Sequence, residues 1–218
     1  MTRLIGLTGY ARSGKDTVGG FLVRNHGFTR VSFADKLKDL AYRANPNVLW
    51  HGTAWPLSKV VDGDGWEQAK THPEVRRFLQ QLGVAVRDVL GEDTWVDAAI
   101  GDLTADRVVV TDVRFRNEHD RIVDLGGTVY RVVRPGVEAV NGHVSETDLD
   151  DLDLPVIPNV GTLDDLECAC QAMIALEKRY TYWKARSAAQ HEHAVRGESG
   201  GPTWTSDGTS GSGSHPTW

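Results

Sequence analysis

The chain has only two cysteines among its 218 residues, and this scarcity already excludes several designs. Cys168 and Cys170 lie two apart on a predicted helix, so their side chains diverge. That spacing suits neither a disulfide nor a zinc site, and both read as free thiols. No run approaches the roughly 18 apolar residues needed to cross a bilayer, and the N-terminus has no signal-peptide core. A membrane span and an exported protein are therefore not expected, and the expected location is cytoplasmic. No basic cluster is present and the formal net charge is -6, so a dedicated nucleic-acid binder is not expected either. Neither a Ser-His-Asp arrangement nor a His/Cys metal cluster stands out, and there is no internal repeat. What remains is ordinary globular material, with 40% hydrophobic and 25% charged residues. The length suits one α/β domain.

Apolar runs that read as buried strands occur at Leu4–Thr8, Arg30–Phe33, Arg107–Thr111, Thr128–Val133 and Pro155–Ile157. Helical patterns alternate with them, which predicts a parallel sheet of about five strands with helices on both faces. Ligands of such sheets gather beyond the carboxyl ends of the strands. Residues 1–196 form the expected single domain. Residues 45–71, rich in Trp, Gly and Pro, read as an irregular insertion, and 134–154 as a candidate lid. A long helix is expected over 164–196. Residues 197–218 are Gly- and Ser-rich with little to bury, and read as a disordered tail. Nothing in the tail accounts for Trp204 and Trp218.

The polar residues after the strands carry the chemistry. Gly9-Tyr-Ala-Arg-Ser-Gly14-Lys15-Asp16-Thr17 follows the first strand and leads into a helix, the context of a phosphate-binding loop. Backbone N–H groups and the helix N-terminus would form the anion site, with Lys15 following the β- and γ-phosphates. Asp16 stands where Ser or Thr usually follows the lysine, and the hydroxyl comes one place later, at Thr17. Asp112 ends another apolar strand and suits a Walker-B-like carboxylate, holding Mg²⁺ directly or through water; a helix cap is the alternative. Arg114 and Glu118, four apart, are expected to pair with each other on the next helix.

A helix is predicted over 73–91. On its wheel Arg76, Gln80, Gly83 and Arg87 form a narrow polar stripe opposite Val75, Phe78, Leu79, Leu82, Val86, Val89 and Leu90. Paired guanidinium donors suit a monophosphate, and Gly83 lets a substrate approach the backbone. A solvated outer face is the alternative. Trp95 could stack on a base or fill core. Arg134 ends the fourth strand, ahead of the candidate lid, where it could stabilise transition-state charge. His143 and Ser145 fall in that lid as ordering or capping residues.

These segments, taken in order, resemble the phage deoxynucleoside monophosphate kinases: the Gly9–Thr17 loop, Ser32-Phe-Ala-Asp-Lys36, Arg76 with Leu79-Gln-Gln-Leu-Gly83, Asp112-Val-Arg-Phe-Arg-Asn-Glu118, and Arg134-Pro-Gly with His143-Val-Ser-Glu146. The resemblance spans about residues 4–175, and the wider class of nucleoside monophosphate kinases shares the Lys-X-Thr form of the loop. It implies a phosphate-loop kinase fold with small lid and acceptor-binding insertions. It also implies ATP as donor, Mg²⁺, and a deoxynucleoside 5′-monophosphate as acceptor. Carried over, Gly9, Arg12, Ser13, Gly14, Lys15, Asp16 and Thr17 would hold the ATP phosphates, and Arg134 would reach ATP from the lid. Asp35, Lys36, Arg76, Gln80, Gly83, Arg87 and Trp95 would line the acceptor pocket, with Thr17 and Asp112 serving the metal. A kinase of another small metabolite, or an ATP-dependent switch without an acceptor, are the alternative readings. Base preference and a homodimer are left open.

Overall fold

The computed structural model describes residues 3–138 and 147–177. The chain divides into two compact units, Met1–Met173 and Ile174–Trp218, and of the second only residues 174–177 are described. His143, Ser145, Glu146, the later part of the predicted 164–196 helix and the whole 197–218 tail lie outside the described residues.

Five parallel strands form the main sheet: β1 (Arg3–Thr8), β2 (Thr29–Val31), β5 (Arg107–Val110), β6 (Thr128–Val133) and β7 (Val156–Pro158), in the order β2-β5-β1-β6-β7. β1 is central, pairing Gly6 with Val110 on one side and Thr8 with Arg131 on the other. The chain builds one half of the sheet with β2 and β5, then crosses β1 to add β6 and β7. The crevice at this switch lies above β1, where ligands of open α/β sheets bind.

Alternation along the strands divides their side chains between two faces. Leu4, Val108, Val110 and Val129 share a core with Val96 and Ile100 of α5 (Thr94–Ile100) and Ile122 of α6 (Arg116–Asp124). On the other face α1 (Lys15–His26) packs closely, and a Cβ on Gly19 would stand 2.6 Å from Thr111 Cγ2. A last helix begins at residue 163, and along it Cys168 is exposed and Cys170 buried, both as free thiols.

The second strand is shorter than its apolar letters suggest. Ser32 and Phe33 leave the sheet because the Asp112 carboxylate captures backbone N–H groups there, and Phe33 starts α2 (Phe33–Ala44). The stretch 45–71, read as irregular, is regular. It contains a hairpin of β3 (Asn47–Trp50) and β4 (Thr53–Pro56), followed by α3 (Leu57–Ala69), which is interrupted at Gly65. His51 and Gly52 make the hairpin turn with φ of 49° and 84°, the positive values a two-residue turn requires. Trp50 and Trp66, together with Phe78, Leu79 and Leu82 of α4 (Pro73–Leu90), pack on a second core of Ala41, Val48, Leu57, Val60, Ala69 and Val75. Trp50 and Trp66 thus cover a small core half-buried, whereas Trp55 is exposed. α4 buries its apolar arc only along its first half; Val89 and Leu90 are exposed.

Candidate active site

The phosphate loop arises where β1 ends and the backbone must reverse into α1. Gly9 and Gly14 take φ of 130° and 107°, values that side chains rarely adopt. Space demands glycine as well: a Cβ on Gly9 would stand 2.4 Å from the Val132 carbonyl oxygen, and one on Gly14 2.6 Å from Asn159 Nδ2. The loop is braced from inside by Ser13 N–H donating to the Tyr10 carbonyl (3.1 Å). From outside, Asn159 Nδ2 donates to the Ser13 carbonyl (2.8 Å). Lys15 Nζ folds back over the loop and donates to the carbonyls of Gly9 (2.6 Å) and Tyr10 (2.9 Å). The Ser13 hydroxyl is buried with no hydrogen-bond partner among the described residues. Arg12 is exposed at φ 66°, Asp16 is exposed, and Thr17 is half-buried at the start of α1.

Two clefts flank this loop. One, of about 450 Å³ and open to solvent, is lined by Thr8, Gly9, Ala11, Lys15, Val113, Arg114, Arg131, Leu149 and Asp150. The other joins Gly9, Tyr10 and Ser13 to Arg131, Val132, Val133, Arg134 and Val137. Arg134 is brought to the loop by a tight turn, with Val137 N–H on the Arg134 carbonyl (3.2 Å) and Gly136 at φ 74°.

Asp112 takes the capping role given as its alternative, though on α2 rather than on the helix that follows it. Its Oδ2 accepts from the Ser32 hydroxyl (2.7 Å) and Ala34 N–H (3.0 Å), and its Oδ1 from Phe33 N–H (3.0 Å). The carboxylate therefore caps α2 from the loop after β5, satisfying donors at that helix's positive end. Arg114 and Glu118 do not pair through side chains, and Arg114 precedes α6 rather than lying on it. Instead Glu118 Oε2 accepts the backbone N–H groups of Arg114 (2.6 Å) and Phe115 (3.0 Å). Glu118 is only 6% exposed. Burial pushes its pKa up to about 7, against the two N–H groups, which lower it; nearby Asp112 raises it and Arg87 lowers it.

The acceptor-side residues line neither cleft. Asp35 pairs with Arg30 (2.9 Å) and Lys38 (3.3 Å), and Lys36, Arg76 and Gln80 are exposed. Gly83 faces Leu37 of α2, where a Cβ would sit at 3.5 Å. Arg87 lies over the Phe115 ring, 4.2 Å from its centroid. Trp95 donates its indole N–H to the Gly83 carbonyl (3.2 Å), joining α5 to α4. The fold thus brings the loop residues and Arg134 together, and sets the stripe of α4 beside α2 at one remove.

Sequence reasoning did not single out Arg131, Asp150 or Tyr10. Arg131 Nη1 donates to Asp150 Oδ1 (3.0 Å), and its Nη2 to the carbonyls of Leu149 (2.5 Å) and Leu152 (3.3 Å). Tyr10 of the loop donates its hydroxyl to the other Asp150 oxygen (2.8 Å), a bond that raises the phenol's pKa. Arg116 fixes the same segment through both oxygens of Asp151 (2.5 and 2.6 Å). The acidic run 148–153 was the available signal, since such carboxylates need cationic partners.

Loop, sheet order and cleft define a phosphate-loop kinase fold. A sequence profile described as deoxynucleotide monophosphate kinase matches residues 65–169. A putative deoxynucleotide monophosphate kinase of Acanthamoeba polyphaga mimivirus is 32% identical over 165 residues, 67% of this chain and 81% of that protein. The deoxynucleotide monophosphate kinase of Enterobacteria phage T4 is 27% identical, covering 75% of this chain and 95% of the relative. Among solved structures, a dephospho-CoA kinase from Campylobacter jejuni is 16% identical over 83% of this chain and 100% of its own, with a TM-score of 0.41. The chain belongs to the deoxynucleotide monophosphate kinase family.

Proposed function

We propose that this protein transfers the γ-phosphoryl group of ATP to a deoxynucleoside 5′-monophosphate, giving ADP and the diphosphate. The observation that carries the reading is the preshaped loop with Lys15 opening on a cleft lined by Arg114 and Arg131. An acceptor phosphate oxygen needs no general base, so the task is alignment and charge neutralisation. The backbone N–H groups of Gly9–Thr17 cradle the donor phosphates, and Lys15 exchanges its two loop carbonyls for phosphate oxygens. Arg134 borders the second cleft and contacts ATP there.

Thr17 would be the residue to hold a magnesium ion: it is a half-buried hydroxyl-bearing residue in the first turn of α1, directly after the loop. With its oxygens committed to α2, Asp112 would serve such an ion only through water. Bound magnesium would neutralise the β/γ oxygens. Asp35, Lys36, Arg76, Gln80 and Arg87 form the acceptor side, where exposed cations await an anionic substrate. Gly83 and Trp95 hold α4 against its neighbours.

The test is ADP formation with a panel of deoxynucleoside and ribonucleoside monophosphates. Turnover of one or more deoxynucleotides is expected. Folded, ATP-binding protein that turns over none would overthrow the reading and favour an ATP-dependent switch.

A further inference from the structure

We infer that Arg114 is a catalytic residue whose guanidinium contacts the transferring phosphoryl group. The inference rests on the phosphotransferase reading above. Three cationic side chains line the cleft beside the loop: Lys15, Arg114 and Arg131. Lys15 is engaged by the loop's own carbonyls. Arg131 is 19% exposed and committed to Asp150 and two backbone carbonyls, so it anchors the 147–152 segment and has little left to offer a substrate. Arg114 differs from both, because its side chain has no hydrogen bond or ion pair among the described residues.

A lone exposed arginine is usually just solvated. Here its backbone is fixed with unusual care. Val113 N–H donates to the Leu7 carbonyl (3.1 Å), which extends the β1–β5 pairing and brings the next residue alongside the end of β1. Arg114 N–H is held by the buried Glu118 carboxylate. The following residue, Phe115, is held by the same oxygen and covered by Arg87. A charged fork on a pinned backbone, aimed at a site where negative charge passes between two phosphates, is how preorganised stabilisation is built. A planar guanidinium also offers paired donors to equatorial phosphoryl oxygens, which an ammonium cannot.

The test uses the full chain carrying Arg114→Gln or Arg114→Lys, with unfolding midpoints first shown equal to wild type. With a deoxynucleotide that the wild type accepts, kcat should fall by roughly 100-fold or more in Arg114→Gln, and Arg114→Lys should recover only part of it. ADP affinity, measured by titration calorimetry with magnesium present, should stay within roughly threefold of wild type. Affinity for ADP with aluminium fluoride, which stands in for the transferring group, should weaken at least about tenfold. An unchanged kcat, or equal loss of affinity for ADP with and without aluminium fluoride, would overturn the assignment. Should the wild type turn over no deoxynucleotide, the proposed substrate fails, and the aluminium fluoride comparison still decides the role of Arg114.

Discussion

Glu118 is the residue whose environment is most out of line with its chemistry. Its carboxyl is buried and titrates near 7, whereas an unfolded chain ionises it near 4.5. Between those values the folded state holds a proton that the unfolded state has released, so folding stability must fall as pH rises through this window. A shift of this size corresponds to about 3 kcal/mol, lost progressively from about pH 5 to pH 8. Glu118→Gln keeps a carbonyl oxygen for Arg114 and Phe115 and removes the titration. Urea unfolding between pH 5 and 8 should show a flatter stability profile for the variant; parallel profiles would refute the assignment. Lys15→Ala removes the two hydrogen bonds from its ammonium to the Gly9 and Tyr10 carbonyls and should cost about 1–3 kcal/mol while leaving the fold intact. Its ADP-forming turnover should fall by at least about 100-fold, and a normal rate would remove the lysine from the mechanism.

At the scale of elements, Asp112 links β5 to the start of α2, and so connects the sheet to the side where Asp35 and Lys36 lie. Asp112→Asn keeps one acceptor oxygen but turns an amide toward donors. A loss of about 1–3 kcal/mol in unfolding free energy is expected. Steady-state kinetics should show the acceptor KM rising more than the ATP KM. A shift confined to the magnesium midpoint would instead restore the direct metal role. The helix at 73–91 and the strands of the main sheet were legible because apolar period and turn letters agree there. The hairpin of Asn47–Pro56 was not, since of its apolar residues only Val48 is buried, Trp50 is half-buried and Leu49 and Trp55 are exposed, which leaves no simple alternation along the chain. The phosphate loop was legible through Gly9, Gly14 and Lys15, whose types are dictated by local backbone geometry. Arg131 and Asp150, nineteen residues apart, meet only through the fold, and no local pattern announces such a pair.

For the whole molecule, nucleotide binding should be visible as stabilisation. ATP with magnesium at about 100 times its Kd adds roughly 2.7 kcal/mol to the folded state, which for a chain of this size raises Tm by several degrees. Thermal melts with and without ATP measure this, and a shift absent in the wild type would mean that the loop is not the donor site. α2 contributes Phe33 to the core under the sheet and Ala41 to the core that packs the hairpin, α3 and α4, so it joins the two. The brace from Asn159 to the Ser13 carbonyl acts on the phosphate loop. Because that brace shapes the loop before any nucleotide arrives, the α- and β-phosphates of ADP find the same mould as those of ATP. The loop alone then barely distinguishes spent donor from fresh donor, so ADP should act as a competitive product inhibitor against ATP, which initial-rate kinetics at several ADP concentrations measure.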